Sequence, residues 1–307
     1  MAAAPSPVER LRRSGITPDR AFGQNFLIDP NILGVIEKMA ALGAGDTVLE
    51  VGPGLGVLTG RLLERCALVH SVEVDKRLAA LLKEEFGSNP RFRLHTGDAV
   101  RMDLGGLKPP PDKFVSNLPY NVATALVMKS LSELPAVRFW CLMLQREIAE
   151  RLFARPGTPA YGSVSVMTQL LTVKEASRQV PAAVFYPRPR VRSALLAFRR
   201  RDDDGYTGRH FGKVRALVKA AFSHRRKLLV NSLAGAGERW LPPGVAGPGA
   251  APGGEAGAGA GDGGEAVRKQ VIVEALARAG LKPDVRPQQV TPAQYERLAI
   301  VFSELEA

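Results

Sequence analysis

The chain has 307 residues, 45% of them hydrophobic, enough for two domains with cores of their own. Lys and Arg number 42 against 30 Asp and Glu, and this net charge of +12 points to a polyanionic partner such as nucleic acid. No apolar run reaches the ~18 residues of a membrane helix, and neither the cysteines (Cys66, Cys141) nor the histidines (His70, His95, His210, His224) have disulfide-framework or metal-ligand spacing.

Residues 1–20 read as a flexible arm, and they lack the apolar core of a secretory signal. A polar-in-apolar loop follows, Ala21-Phe22-Gly23-Gln24-Asn25-Phe26-Leu27. Asp29-Pro30 predicts a helix start, Asp29 as N-cap and Pro30 at the first helical position. Asp46 to Val51 reads as a buried strand that runs into Gly52-Pro53-Gly54-Leu55-Gly56 and a helix with Leu58, Leu62 and Leu63. Strand, glycine turn and helix make the first unit of a Rossmann-like domain, whose backbone approaches a ligand closely. The G-x-G-x-G spacing differs from that of dinucleotide binders, and Glu50 before it suggests a nucleoside or amino-acid ligand without a pyrophosphate.

The next strand, Leu68 to Asp75, carries Glu73 where such folds bind ribose hydroxyls. A third strand, Arg91 to Thr96, ends at Gly97-Asp98-Ala99, where an acid can accept from an adenine amine. The fourth, Lys113 to Ser116, runs into Asn117-Leu118-Pro119-Tyr120. Asn117 offers an amide acceptor, Pro119 stiffens the turn, and Tyr120 supplies a face on which a base can stack. Successive strand ends therefore describe a nucleoside pocket beside a loop suited to gripping a planar amine.

Phe139 to Leu144 is a further buried strand, and Gln145-Arg146-Glu147 opens a helix. Arg155 to Pro159 reads as a lid-like loop, and Ser163 to Leu171 as an apolar helix. In Phe185-Tyr186-Pro187-Arg188-Pro189-Arg190-Val191-Arg192-Ser193, alternating Pro and Arg keep the chain extended and basic until the strand Ser193 to Phe198. Basic residues beside aromatics are a nucleic-acid contact pattern. After the acidic linker Asp202 to Gly205 come a basic helical pair (210–234), a Gly/Ala-rich flexible segment (235–265), and helices at Val267 to Ala279 and after Thr291-Pro292.

Taken in order, Gly23-Gln24-Asn25-Phe26-Leu27, Glu50-Val51-Gly52-Pro53-Gly54-Leu55-Gly56, Gly97-Asp98-Ala99 and Asn117-Leu118-Pro119-Tyr120 resemble the ribosomal RNA adenine dimethyltransferases. Gln145-x-Glu147, Tyr161-Gly162-x-x-Ser165 and Phe185-x-Pro187-x-Pro189-x-Val191-x-Ser193 extend the resemblance over most of the chain. It implies an α/β fold, a Rossmann-like class I methyltransferase domain (21–201) followed by a small α-helical rRNA-binding domain (202–307). It also implies S-adenosylmethionine as cofactor, held by Asn25, Leu27, Glu50, Gly52, Gly54, Glu73, Asp98, Ala99 and Asn117. Asn117, Leu118, Pro119 and Tyr120 would be catalytic, with the target adenine between Tyr120 and Phe185, while Arg188, Arg190, Arg192, Arg225, Arg226 and Lys227 would grip RNA.

The stretch Phe222-Ser223-x-Arg225-Arg226-Lys227-x-Leu229-x-Asn231-Ser232-Leu233 resembles the bacterial small-subunit subfamily. Its members dimethylate two adjacent adenosines near the 3′ end of 16S rRNA in the small ribosomal subunit and serve ribosome biogenesis. A cytoplasmic, monomeric chain without membrane attachment is the corresponding expectation. Large-subunit rRNA methylases share the catalytic motifs, and a non-catalytic assembly factor on the same fold is the other alternative. Two departures from the family pattern stand out, Phe22 before the Gly-Gln-Asn loop and the segment 235–265.

Overall fold

A computed structural model of the protein describes residues 6–19, 23–202, 211–236 and 262–305. The chain forms two compact units: Met1–Glu150 with Thr172–Arg201, and Arg151–Leu171 with Asp202–Ala307.

The first unit opens with α1 (Pro7–Arg13), β1 (Phe26–Leu27) and α2 (Pro30–Ala40). A Rossmann-like run then follows: β2 (Thr47–Val51), α3 (Val57–Arg65), β3 (Leu68–Glu73), α4 (Lys76–Phe86), β4 (Phe92–Thr96), β5 (Lys113–Asn117), α5 (Ala123–Glu133), β6 (Phe139–Gln145) and α6 (Arg146–Leu152). After α7 (Ser163–Leu171), which belongs to the second unit, β7 (Thr172–Val180), β8 (Phe185–Tyr186) and β9 (Ser193–Arg200) complete it.

Seven strands form one sheet in the order β4-β3-β2-β5-β6-β9-β7. From β4 to β6 the pairings are parallel, and β9 lies antiparallel to both β6 and β7. Every residue of β2 and β3 is buried, as the continuous apolar runs of a parallel sheet covered on both faces require. Asp29 caps α2 by accepting from the Asn31 N–H at 2.7 Å, with Pro30 behind it as the sequence predicts. Cys66 and Cys141 are free thiols in the core.

The flexible arm expected at 1–20 is corrected for its described part. Ser6 and Glu9 make a reciprocal capping box, and α1 buries Leu11 against Ile16, Phe26, Leu55 and Leu78. The sequence reading also passes over β7, an edge strand whose exposed Lys174 to Gln179 carry no apolar alternation.

The second unit holds α7, α8 (Phe211–Ala221), α9 (Leu229–Gly235), α10 (Asp262–Arg278) and α11 (Pro292–Glu304). Beside its aliphatic core it holds an aromatic cluster: the half-buried Phe222 lies 6.3 Å from Tyr161 and 6.0 Å from Tyr295, ring centre to ring centre. The two phenols are satisfied by carbonyls, Tyr161 donating to Val290 at 2.7 Å and Tyr295 to Pro287 at 2.9 Å. Thr291 and Gln294 form the capping box that starts α11.

Residues 151–171 therefore belong with the helical unit, not with the domain expected to end at 201. The reason is their packing: Tyr161 and α7 bury their apolar faces among α8 and α11. The loop read as a lid is tied down in the same unit, Gly157 donating to the Gln288 carbonyl at 2.7 Å and Arg225 to that of Pro159 at 2.6 Å. Of the segment 235–265, residues 237–261 lie outside the described residues and α10 already begins at Asp262. Most of the acidic linker and Phe22 also lie outside them.

Candidate active site

Parallel register brings the C-terminal ends of β2 to β5 to one edge of the sheet, where open α/β folds bind ligands. At the end of β2 the chain turns through Gly52 (φ +71°) and Gly54 (φ +59°), left-handed values that glycine adopts without steric cost. A Cβ on Gly52 would sit 3.0 Å from Pro119 Cγ, and one on Gly54 2.8 Å from Phe26 Cδ1. The turn is thus pressed between the Asn117–Tyr120 loop and β1. No side chain caps α3, which begins directly after this turn.

Glu73 ends β3 and is buried. One carboxylate oxygen accepts from the Gly54 N–H at 3.1 Å, the other from the Asp75 N–H at 2.9 Å. Burial outweighs these bonds and raises its pKa. Glu50 lies deeper, and a single oxygen accepts from both the Thr59 hydroxyl at 2.7 Å and the Ser71 hydroxyl at 2.8 Å. Burial drives its pKa up to about 7. Asp98 is exposed beyond β4, where it accepts from the Val100 N–H at 2.9 Å.

Asn117 closes β5. Its Nδ2 donates to the Asn25 carbonyl at 3.0 Å. A carbonyl can only accept, so this bond sets which way the amide points and leaves Oδ1 as the free end. Leu118 is buried, its N–H donating to Met143 O at 3.2 Å. The half-buried Tyr120 shares a 2.6 Å hydrogen bond with the Ser193 hydroxyl, and burial raises its phenol pKa.

Three adjoining cavities line this edge and share Gly52. One of about 170 Å³ has largely apolar walls, including Val72, Val74 and Pro119, and is also lined by the exposed Asp98 and the buried Ala99. A smaller one lies among Asn25, Gly54, Glu73 and Asn117 to Tyr120, and another among Leu27, Glu50, Leu58 and Asn117. Every residue that the sequence nominates for the cofactor lines one of the three. The chemistry of the set fits S-adenosylmethionine: glycines where a Cβ would collide, a largely apolar slot lined also by a carboxylate, and a buried acid beside the turn.

Phe185, nominated with Tyr120 to enclose the target base, is 1% exposed and pairs with Leu27, because its position in β8 turns the ring into the core. Arg188, Arg190 and Arg192 are exposed in the first unit; Arg226 and Lys227 are exposed in the second, beside Arg225 with its Pro159 bond.

Sequence reasoning missed several supporting groups. Thr59 and Ser71 orient Glu50, and each is a hydroxyl at a position where the apolar period predicts burial, a signal that it has a buried partner. Gln24 is a further supporting group: its Nε2 donates to Asp75 at 3.1 Å, and its Oε1 accepts from the Asp19 N–H at 2.7 Å. Asp75 also caps α4 through the Arg77 N–H at 2.9 Å. This network tethers the loop whose Asn25 carbonyl orients Asn117.

A family model described as ribosomal RNA adenine dimethylase matches residues 17–241. The chain belongs to the ribosomal RNA adenine dimethylase family. Its sequence is 44% identical to "Ribosomal RNA small subunit methyltransferase A" of Rubrobacter xylanophilus over 71% of this chain and 81% of that one. With the protein of the same name from Moorella thermoacetica, identity is 37% over 94% of each chain. The solved structure of the 23S rRNA methyltransferase ErmE superposes with a TM-score of 0.61 at 27% identity, covering 91% of this chain and all of that one. As a member of the dimethylase family, the protein is an rRNA adenine dimethyltransferase that uses S-adenosylmethionine. Among the described residues no helix is long and apolar enough to cross a membrane.

Proposed function

We propose that the protein dimethylates the exocyclic amines of two adjacent adenosines near the 3′ end of 16S rRNA, acting in the cytoplasm as a monomer on the small ribosomal subunit during its biogenesis. The names and near-full-length match of the curated relatives support the small subunit as target. The observation that carries the chemistry is the Asn117 amide, whose Nδ2 is committed to Asn25 and whose Oδ1 is left to accept.

Gly52, Gly54, Asn25, Leu27 and Glu50 would hold the methionine end of the cofactor, Glu73 its ribose hydroxyls, and Asp98 with Ala99 its adenine. When bound, S-adenosylmethionine supplies an electrophilic sulfonium methyl group. An adenine amine is a poor nucleophile, because its lone pair is delocalised into the ring. Asn117 Oδ1 and the Leu118 carbonyl accept its two hydrogens and favour a pyramidal nitrogen with the lone pair freed for attack. Pro119 fixes the turn that presents both acceptors, and the ring of Tyr120 supports the base taken out of its stack. Catalysis is orientation and electrostatics. The methylated nitrogen carries one proton too many and is acidic, so water removes it and no basic side chain is required. For the second methylation the amine, now with one hydrogen, rotates and keeps one of the two bonds. Arg188, Arg190, Arg192, Arg225, Arg226 and Lys227 would grip phosphates.

The test is transfer of labelled methyl groups into small subunits lacking the modification, with naked 16S rRNA and large-subunit rRNA in parallel. Dimethyladenosine in the small-subunit RNA is the expected result. Label in large-subunit rRNA alone would refute the small-subunit assignment, and RNA binding without any label would favour an assembly factor.

A further inference from the structure

The two-stranded ribbon of β1 and β8 has two unlike faces. Phe26 pairs with Tyr186, and Leu27 with Phe185. Residues directly opposed on antiparallel strands share a face, and successive residues alternate. Leu27 and Phe185 face the core. On the other face, Phe26 packs against Gly54 and lines the cavities that reach Asn117. Tyr186 shares that face and is 39% exposed.

From Tyr186 the chain runs through Arg188, Arg190 and Arg192 to Ser193, whose hydroxyl holds Tyr120. One end of this short basic loop thus lies opposite a wall of the active site, and the other is bonded to the residue that supports the target base. All three arginines are exposed, and none is ion-paired to a carboxylate among the described residues. Val191 adds a second exposed apolar side chain. An open aromatic face interleaved with uncompensated guanidinium groups suits a single strand of RNA, with bases on the ring and phosphates on the arginines.

We propose that Tyr186 is a stacking platform for the nucleotide beside the target adenosine, with Arg188 and Arg190 on the flanking phosphates. The inference rests on the reading that two neighbouring adenosines are modified. Between them the strand must advance by one nucleotide. A platform that accepts any base, backed by phosphate contacts, holds the neighbour in both registers, which base-specific hydrogen bonds would not do.

The test compares Tyr186→Ala and Tyr186→Phe. Steady-state methyl transfer is measured with small subunits and cofactor varied separately, and affinity for a single-stranded adenosine-containing RNA is measured by fluorescence anisotropy. Stacking on one ring predicts that Tyr186→Ala raises KM for the particle and Kd for the RNA roughly 5- to 100-fold. The cofactor KM and the melting temperature stay at wild-type values, because the side chain is exposed. Tyr186→Phe keeps the ring and behaves as wild type. Wild-type KM and Kd in Tyr186→Ala would overturn the proposal, as would a Tyr186→Phe variant as impaired as the alanine. If the wild type binds the RNA through Tyr186 but methylates no rRNA, the functional reading fails and takes with it the placement beside a target adenosine, leaving only the stacking contact. If it methylates small subunits while Tyr186→Ala matches it, the functional reading stands and this inference fails.

Discussion

Replacing Gly54 by alanine tests the cofactor turn and the packing behind it with one methyl group. At φ +59° an L-residue is strained by about 1 kcal/mol. The new Cβ would lie 2.8 Å from Phe26 Cδ1 and 3.0 Å from Cε1, whereas ordinary contact begins near 3.4 Å, so the ring must retreat by over half an ångström. Phe26 is only 6% exposed and packs with Leu11, Ile16, Leu55 and Leu78, so there is little room to yield. Overpacking of this kind costs about 1–3 kcal/mol, and with the backbone strain a total of about 2–4 kcal/mol follows. The Gly54 N–H also donates to Glu73, so displacement of the turn disturbs the acid proposed to hold the ribose as well. Gly60→Ala is the control: it lies inside α3, and its Cβ would meet Phe86 Cζ at an ordinary 3.8 Å. There alanine should stabilise by up to ~1 kcal/mol. Urea unfolding and calorimetric titration with S-adenosylmethionine check both. Gly54→Ala should lose stability and at least about tenfold in cofactor affinity, a loss of some 1.4 kcal/mol, while Gly60→Ala keeps both. A Gly54→Ala protein as stable and as tight-binding as the wild type would refute the reasoning.

Three further outcomes are expected. Asn117→Ala should lower kcat by about 100-fold or more while cofactor affinity changes far less, and Asn117→Asp should not rescue it, since its second oxygen would face the Asn25 carbonyl; near-normal single-turnover rates in the alanine variant would contradict the assignment. Glu50 has a folded pKa of about 7 against an ordinary 4.5. The folded state therefore holds a proton that the unfolded state has lost between those values, and this stability, complete below about pH 4.5, declines as pH rises through about 7. Glu50→Gln removes the titration, so it should be more stable than wild type at pH 8, by roughly 3 kcal/mol at most, with the gap closing towards pH 4.5; parallel denaturant curves at all pH values would refute this. Asp75 is held down to about 2 chiefly by its Arg77 bonds, with a further contribution from Gln24. Asp75→Ala should cost about 1–2 kcal/mol through the lost cap and weaken cofactor binding by loosening the Gln24 tether, whereas Asp75→Asn, whose single oxygen can still cap α4 while its NH2 faces the Gln24 Nε2 donor, should retain most of the stability in melting experiments but still weaken cofactor binding in titrations.

The sequence by itself determined whatever depends on neighbours along the chain. Asp29-Pro30 and Thr291-Pro292 start helices because caps act over a few residues. The glycine turn, Glu73 and Asn117 were legible because a strand end followed by a turn is a local pattern, and parallel register then brings those ends together. Tertiary structure alone decided matters of facing and partnership. Phe185 and Tyr186 are equally aromatic in sequence, and only the pairing of β8 with β1 turns the first into the core and the second outward. Tyr161 and α7 precede two strands of the sheet, yet they bury their apolar faces among α8 and α11 in the helical unit. The direction of the Asn117 amide rests on a carbonyl 92 residues earlier in the chain, held in place by a loop that Gln24 ties to Asp75. Bonds between such distant residues leave no periodic trace, because each partner is set by where the folded backbone passes and not by its neighbours in sequence.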